Sequence, residues 1–130
     1  MENKICVDTD IVIDVLRGKE GAVEFVKQYE KNHEMCMATM TLFELYIGAF
    51  RGNWPSRVES IDLLEERFTF LPLSHRAAKE AARIHAFLMG KGHMLDYKDV
   101  IIAAIAKVNG CTFKTGNIKH FRRIDGLRVL

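Results

Sequence analysis

Short apolar runs alternate with longer stretches of helical spacing along nearly the whole of this chain, and that alternation restricts its fold more than any other feature. Residues 4–7 predict a first strand, and residues 10–17 have helical spacing that stops at Gly18. Residues 20–31 give an amphipathic helix with Ala22, Phe25, Val26 and Tyr29 on one face, followed by a second strand over 35–38. Two helices, 41–50 and 55–68, are parted by a turn marked by Gly52 and Pro55, and 68–73 predicts a short third strand. An alanine-rich helix over 74–89 stops in the Gly90-Lys91-Gly92 turn, and the next, from Asp96, stops at Asn109-Gly110. Residues 111–115 form a fourth strand, 117–123 a short helix and 127–130 a final strand. Strand then helix, repeated, predicts an α/β fold with a mainly parallel sheet covered on both faces and reached through right-handed crossovers.

Folds of this kind collect ligands beyond the carboxyl ends of their strands, so the residues that follow each strand are the candidates for chemistry. Asp8 stands where the first strand ends and helical spacing begins. Glu44 comes shortly after the second strand, in Thr41-Leu42-Phe43-Glu44, and Asp99 heads a helix that is apolar on nearly every side as far as Ala106. Each acid also has a structural explanation. Asp8 or Thr9 suits a helix N-cap, Thr41-x-x-Glu44 matches a capping box, and Asp96-x-x-Asp99 suits the charged start of a helix. The combination says more than any one of them. Carboxylates at the ends of buried elements are costly unless hydrogen-bonded or balanced by a cation. Their hard oxygens suit Mg²⁺ or Mn²⁺, so a shared ion accounts for all three. Asp10 and Asp14 are acids of second rank, and Asp10 reads first as part of a helix start.

Other signals narrow the function. At 130 residues the chain is long enough for one domain with a real core and too short for a catalytic domain plus a cap. Its 48% hydrophobic and 28% charged content is that of a soluble globular protein. No apolar run approaches the ~20 residues of a membrane helix, and Glu2 and Asp8 close behind Met1 do not suit a signal peptide. A cytoplasmic protein is expected. Cys6, Cys36 and Cys111 are odd in number, distant and strand-associated, which predicts reduced, packed thiols. His33, His75, His85 and His93 are expected on helices or loops, and His120 alone lies near a candidate site. The net charge of +2 conceals a basic stretch: Lys114, Lys119, His120, Arg122, Arg123 and Arg128 against the single acid Asp125. Such a stretch suits phosphates, and equally a solvated face.

In order along the chain, Val7-Asp8-Thr9-Asp10, Thr41-x-x-Glu44-Leu45, Asp99-x-x-Ile102-Ala103-Ala104 and Thr115-Gly116-Asn117-Ile118-Lys119-His120-Phe121 followed by Ile124-Asp125-Gly126-Leu127 resemble the PIN-domain ribonucleases. Within them the series is most similar to the VapC toxins of bacterial and archaeal toxin–antitoxin pairs, over about residues 4–130. The resemblance implies a three-layer α/β/α fold, a parallel sheet of about five strands and an Mg²⁺-dependent endoribonuclease. It places Asp8, Glu44 and Asp99 on the acidic catalytic and metal-binding positions and Thr9 on the small hydroxyl position beside the first. The fourth polar position, often an acid, is Asn117, an amide that brings no negative charge to a second metal. Thr9, Thr115, Lys119, His120 and Arg122 are then the candidates to meet substrate, while Phe121 and Ile124 pack on the core. A cognate VapB-like antitoxin and a homodimer are implied as well.

The chemistry suits those residue types. Phosphodiester hydrolysis needs a stronger nucleophile than neutral water and a counter-charge for the transition state; a carboxylate-held Mg²⁺ supplies both, leaving a 5′-phosphate and a 3′-hydroxyl. Two alternatives stand beside it. Asp8-Thr9-Asp10 also resembles the Asp-x-Asp of haloacid-dehalogenase-like phosphatases, with Asp8 as nucleophile, but leaves Glu44 unexplained. The other is a non-catalytic PIN module that binds RNA or protein. Phe43, Tyr46, Phe50 and Trp54, three of them at helical spacing, are expected in the core, with an antitoxin or subunit interface as the second choice.

Overall fold

The computed structural model describes residues 3–130; Met1 and Glu2, on which the absence of a leader was partly argued, lie outside them. In chain order the elements are β1 (Asn3–Val7), α1 (Thr9–Leu16), α2 (Glu20–Tyr29), β2 (His33–Ala38), α3 (Thr39–Arg51) and α4 (Pro55–Asp62). A 3₁₀ turn (Leu63–Glu66) then leads to β3 (Thr69–Leu71), α5 (His75–Gly90), α6 (Tyr97–Val108), β4 (Thr112–Lys114), α7 (Ile118–Phe121) and β5 (Arg128–Val129).

The five strands form one parallel sheet in the order β3-β2-β1-β4-β5. The chain leaves β1 to build one side of the sheet through β2 and β3, then crosses to build the other through β4 and β5. The order reverses between β1 and β4, the switch point where an open α/β sheet leaves a crevice at its carboxyl edge. Asp8, directly after β1, stands there, its amide bonded to the carbonyl of Lys114 at the end of β4 (2.9 Å).

Alternation along β1 separates two cores. Ile5 and Val7 face one side, joining Met35 and Met37 with Val12, Val26, Leu45, Ala49 and Ile61 from α1 to α4. Cys6 faces the other, joining Cys36, Ala38 and Phe113 with the small and branched residues of α5 and α6 and with Phe121 and Ile124. The expected α/β/α layers are therefore present. Cys6, Cys36 and Cys111 are buried and free, as their spacing predicts. Among the described residues no helix is long and apolar enough to cross a membrane.

Four expectations are corrected. Helix α3 begins at Thr39 with Ala38 at its cap, so Thr41 is a buried helical residue and the capping box at Thr41 and Glu44 does not form. The predicted helix 55–68 ends at Asp62 and tightens into the 3₁₀ turn, which frees Thr69 to pair beside β2. His33 is in β2, because β1 pairs with β2 as far back as Asn3 opposite His33. Most of the aromatic group is not core: Phe43, Phe50 and Trp54 are 58%, 66% and 51% exposed, while Tyr46 packs partly against the core, because Thr41, Leu45 and Ala49, spaced by four, take the inward face of α3.

Candidate active site

Asp8 is built into the mouth of the sheet. It caps α1 from an extended backbone, one carboxylate oxygen accepting the amide of Thr9 (2.8 Å). The other accepts the hydroxyl of Thr115 (2.8 Å), which in turn accepts the amide of Asn117 (3.0 Å). Only 6% of Asp8 is exposed, and among the described residues no Lys, Arg or His forms a salt bridge with it. Burial pushes its carboxyl up to about 7, with the charges of Asp10 and Asp99 adding to the effect and the Thr115 and Thr9 bonds opposing it. A helix N-terminus favours an anion, yet desolvation wins here.

Glu44 and Asp99 reach the same mouth from α3 and α6. The Thr9 hydroxyl lies 2.8 Å from one oxygen of Glu44 and 3.1 Å from the hydroxyl of Thr41. Having one proton, it donates to the carboxylate and accepts from Thr41. The second oxygen of Glu44 stands 3.4 Å from the ammonium of Lys98. Asp99, in the first turn of α6, has its carboxyl raised by burial and by the charges of Asp96 and Glu44, against Lys98 and His120. Asp8, Glu44 and Asp99 thus share one electrostatic neighbourhood. They do not form a closed ligand set: among the described residues no three His, Cys, Asp or Glu side chains are gathered tightly enough to hold one ion. Glu44 is instead occupied by Thr9 and Lys98, and Asp8 by Thr9 and Thr115. The donors still suit a hard divalent cation, since they are carboxylate and hydroxyl oxygens and a cation offsets the charge that burial opposes.

The remaining candidates divide. Thr115 is 1% exposed and its hydroxyl is taken up by Asp8 and Asn117, so it positions Asp8 and does not meet substrate. Asn117 precedes α7 with its side chain making no cap bond. Lys119, His120 and Arg122 are exposed on and after α7; only His120 is close enough to affect Asp99. Asp96 holds the N-cap position of α6 but makes no side-chain cap bond.

Three features escaped the sequence. Asp10 uses one oxygen on the amide of Ile11 (2.8 Å) and the other on the amide of Gly116 (2.9 Å), fastening the start of α1 to the loop that carries Thr115. Gly116 suits this contact, because a Cβ there would lie 2.6 Å from the Asp10 oxygen and the carboxylate would have to turn away. Gly116→Ala is expected to cost about 0.5–1.5 kcal/mol in denaturant unfolding, the worth of the hydrogen bond to Asp10 that the added methyl displaces. The third is Lys98, the cation that holds Glu44.

A groove of about 210 Å³ leads away from Glu44 between α1, α3 and α4, lined mainly by Ile13, Leu16, Leu45, Ala49, Trp54 and Ile61. Arg57, also in its wall, stacks over the Trp54 ring at 4.4 Å. The groove is apolar and ends at an acid.

The chain matches the family model of the PIN domain over residues 5–127. It is 32% identical to Ribonuclease VapC2 of Haemophilus influenzae over 128 residues, covering 97% of this chain and 96% of that protein. It is 31% identical to the tRNA(fMet)-specific endonuclease VapC of Shigella flexneri with the same coverage. Its fold superposes on DNA-bound VapBC from Salmonella typhimurium with a TM-score of 0.88 at 28% identity, covering 98% and 97% of the two chains. VapBC2 from Rickettsia felis, bound to a DNA fragment from its promoter, gives a TM-score of 0.91 and the same coverage at 21% identity, a likeness of fold.

Proposed function

The chain belongs to the PIN-domain family, and on that footing we propose that it is a divalent-metal-dependent endoribonuclease, the toxin of a VapBC-type pair, acting as one domain over residues 1–130. The observation that carries this is Asp8: a buried carboxylate with no salt bridge among the described residues, at the switch point of the sheet, near enough to Asp99 to feel its charge, as Asp99 in turn feels that of Glu44. For stability alone a neutral cap such as asparagine would cost less than this buried charge.

Asp8 and Asp99 are the principal ligands in this proposal, and Glu44 is a ligand or orients the attacking water. Mg²⁺, or Mn²⁺ in its place, supplies when bound a lowered water pKa and a counter-charge for the phosphoryl oxygens. Thr115 and the Thr9 amide fix the two oxygens of Asp8, and the Thr9 hydroxyl fixes Glu44. These bonds hold ligands whose mutual repulsion otherwise drives them apart. Asn117 lies at the edge of the site and adds a neutral oxygen, so it favours a second ion less than an acid does. His120, whose charge is felt at Asp99, and the exposed Lys119 and Arg122 are the groups that meet phosphates in this proposal.

Lys98 competes with the metal for Glu44. Lys98→Met is therefore expected to strengthen Mg²⁺ binding about two- to fivefold, the worth of a surface ion pair, measured by calorimetric titration. An unchanged affinity would leave Lys98 a bystander.

The antitoxin and a second copy of the chain are proposed as protein partners. The exposed Phe43, Phe50 and Trp54 and the apolar groove ending at Glu44 supply the surface such partners bury. The test of the function is direct. Purified protein incubated with bulk RNA and Mg²⁺ is expected to yield fragments with 5′-phosphate ends, and excess chelator to stop their formation. Hydrolysis of a generic phosphate ester without RNA cleavage would favour the phosphatase alternative, and RNA binding without cleavage the non-catalytic module.

A further inference from the structure

Building on the ribonuclease proposal, we propose that a basic concavity at the far end of α5 and α6 binds the phosphate backbone of the RNA at a distance from the bond that is cut. This concavity, of about 300 Å³, is lined by Arg76, Lys79, Glu80, Arg83, Lys107 and Val108. It is remote from the acids: Asp99 lies in the first turn of α6 and Lys107 in the last, a separation of about 12 Å along the helix. Gly110, next to it, precedes β4 at the edge of the sheet opposite Thr115.

Three of the four cations are held in place. Glu80, its side chain 13% exposed, accepts from Lys107 (2.8 Å) and from the Arg83 guanidinium, and these two keep its carboxyl below the usual range. One acid thereby fastens two cations side by side that would otherwise repel. Arg76 is fixed by the carbonyl of Val108 (3.2 Å). Lys79 is exposed and forms no ion pair among the described residues. The excess of positive charge faces solvent, as a polyanion site requires.

The concavity is also connected to the acids by a basic segment of the chain. From Gly116, bonded to Asp10 at the mouth, the chain carries the exposed residues Lys119, His120, Arg122 and Arg123, against the single exposed acid Asp125, down to Gly126. Gly126 lies so close to Lys107 that a Cβ there would come within 2.9 Å of its side chain, and Arg128 donates to the carbonyl of Gly110 (2.8 Å). A strip of positive charge thus runs from the catalytic acids to the concavity in a protein of net charge +2. The ligand it fits is one that repeats its negative charge along a line and has one phosphate at the acids.

The test is binding of bulk transfer RNA in chelator, so that no cleavage occurs, across a range of salt concentrations. Lys79→Gln/Arg83→Gln is expected to weaken binding roughly tenfold at low salt and to flatten the slope of log K against log salt by about 1.4–1.8, the loss of two phosphate contacts. The charge-preserving Lys79→Arg/Arg83→Lys is expected to keep wild-type affinity and slope, and Mn²⁺ affinity at the acids is expected to be unchanged in both. Equal RNA affinity and slope in the Gln variant and wild type would overturn the proposal, as would an equal loss in the charge-preserving variant. Wild-type cleavage of RNA with Mg²⁺ is scored separately. If it is present while binding ignores the Gln substitutions, the concavity alone is overturned; if it is absent, the ribonuclease proposal falls and the concavity's role with it.

Discussion

Asp8→Asn is expected to abolish RNA cleavage and at the same time to make the metal-free protein more stable. Outer partners of a metal ligand are worth roughly 10–100-fold in affinity or activity, so losing a principal ligand should cost more than about 100-fold. The stability gain follows from burial. Asparagine keeps the shape of the side chain and still accepts the Thr9 amide, while the Thr115 hydroxyl can turn to accept from the new NH₂. What disappears is a carboxylate raised from 3.8 to about 7. Because the folded-state value is the higher one, protonation favours the folded form: this stabilisation is complete below the unfolded value and is lost as pH rises through about 7. Wild-type protein in chelator should therefore lose stability between about pH 4 and pH 7, by up to about 4 kcal/mol. In thermal melts Asp8→Asn should lack that decline. Divalent cation should restore stability to wild type and not to the variant, with the metal binding more tightly as pH rises, because it displaces a proton. A variant that melts like wild type at every pH, with full cleavage, would remove Asp8 from the site.

Phe113→Ala is expected to have the largest effect on folding, about 3–5 kcal/mol, from lost burial and the cavity left behind. Phe113 is fully buried in the middle of β4, opposite Cys6 of β1 and Val129 of β5, with its ring edge-on to Phe121 at 4.8 Å. No neighbour can refill the space without moving a strand. Domains of this size are stable by about 5–15 kcal/mol, so the melting temperature should fall by about 10–20 °C. The consequence reaches the site, because β4 delivers Thr115 to Asp8. Melts and denaturant curves measure it; a loss below about 1 kcal/mol would mean that β4 is not the support described here.

Much of this was legible in the sequence, and the residues show why. Ile5, Cys6 and Val7 form a run too short for a helix and closed by a capping acid, so β1, α1 and the placement of Asp8 follow from local rules. The same rules misled at Thr41. The Thr-x-x-Glu spacing is satisfied in the sequence, but α3 starts two residues earlier and Thr41 turns inward to Thr9. Helical spacing identified Phe43, Tyr46 and Phe50 as one group without telling which face of α3 the sheet would take. The fastening of Asp10 to Gly116 and the pairing of Lys98 with Glu44 join residues far apart in the chain, and nothing local signals either.

The central claim is that Asp8 and Asp99 hold one divalent ion, with Glu44 as a further ligand or as the group that orients its water. Its most direct test is titration of Mn²⁺, with free ion measured by electron paramagnetic resonance, into wild type, Asp8→Asn, Glu44→Gln and Asp99→Asn. The predicted result is saturable binding to wild type, weakened at least about tenfold in Asp8→Asn and Asp99→Asn, with the loss in Glu44→Gln deciding between its two roles. Wild-type affinity retained in Asp8→Asn or Asp99→Asn, or no saturable binding to wild type, would contradict it.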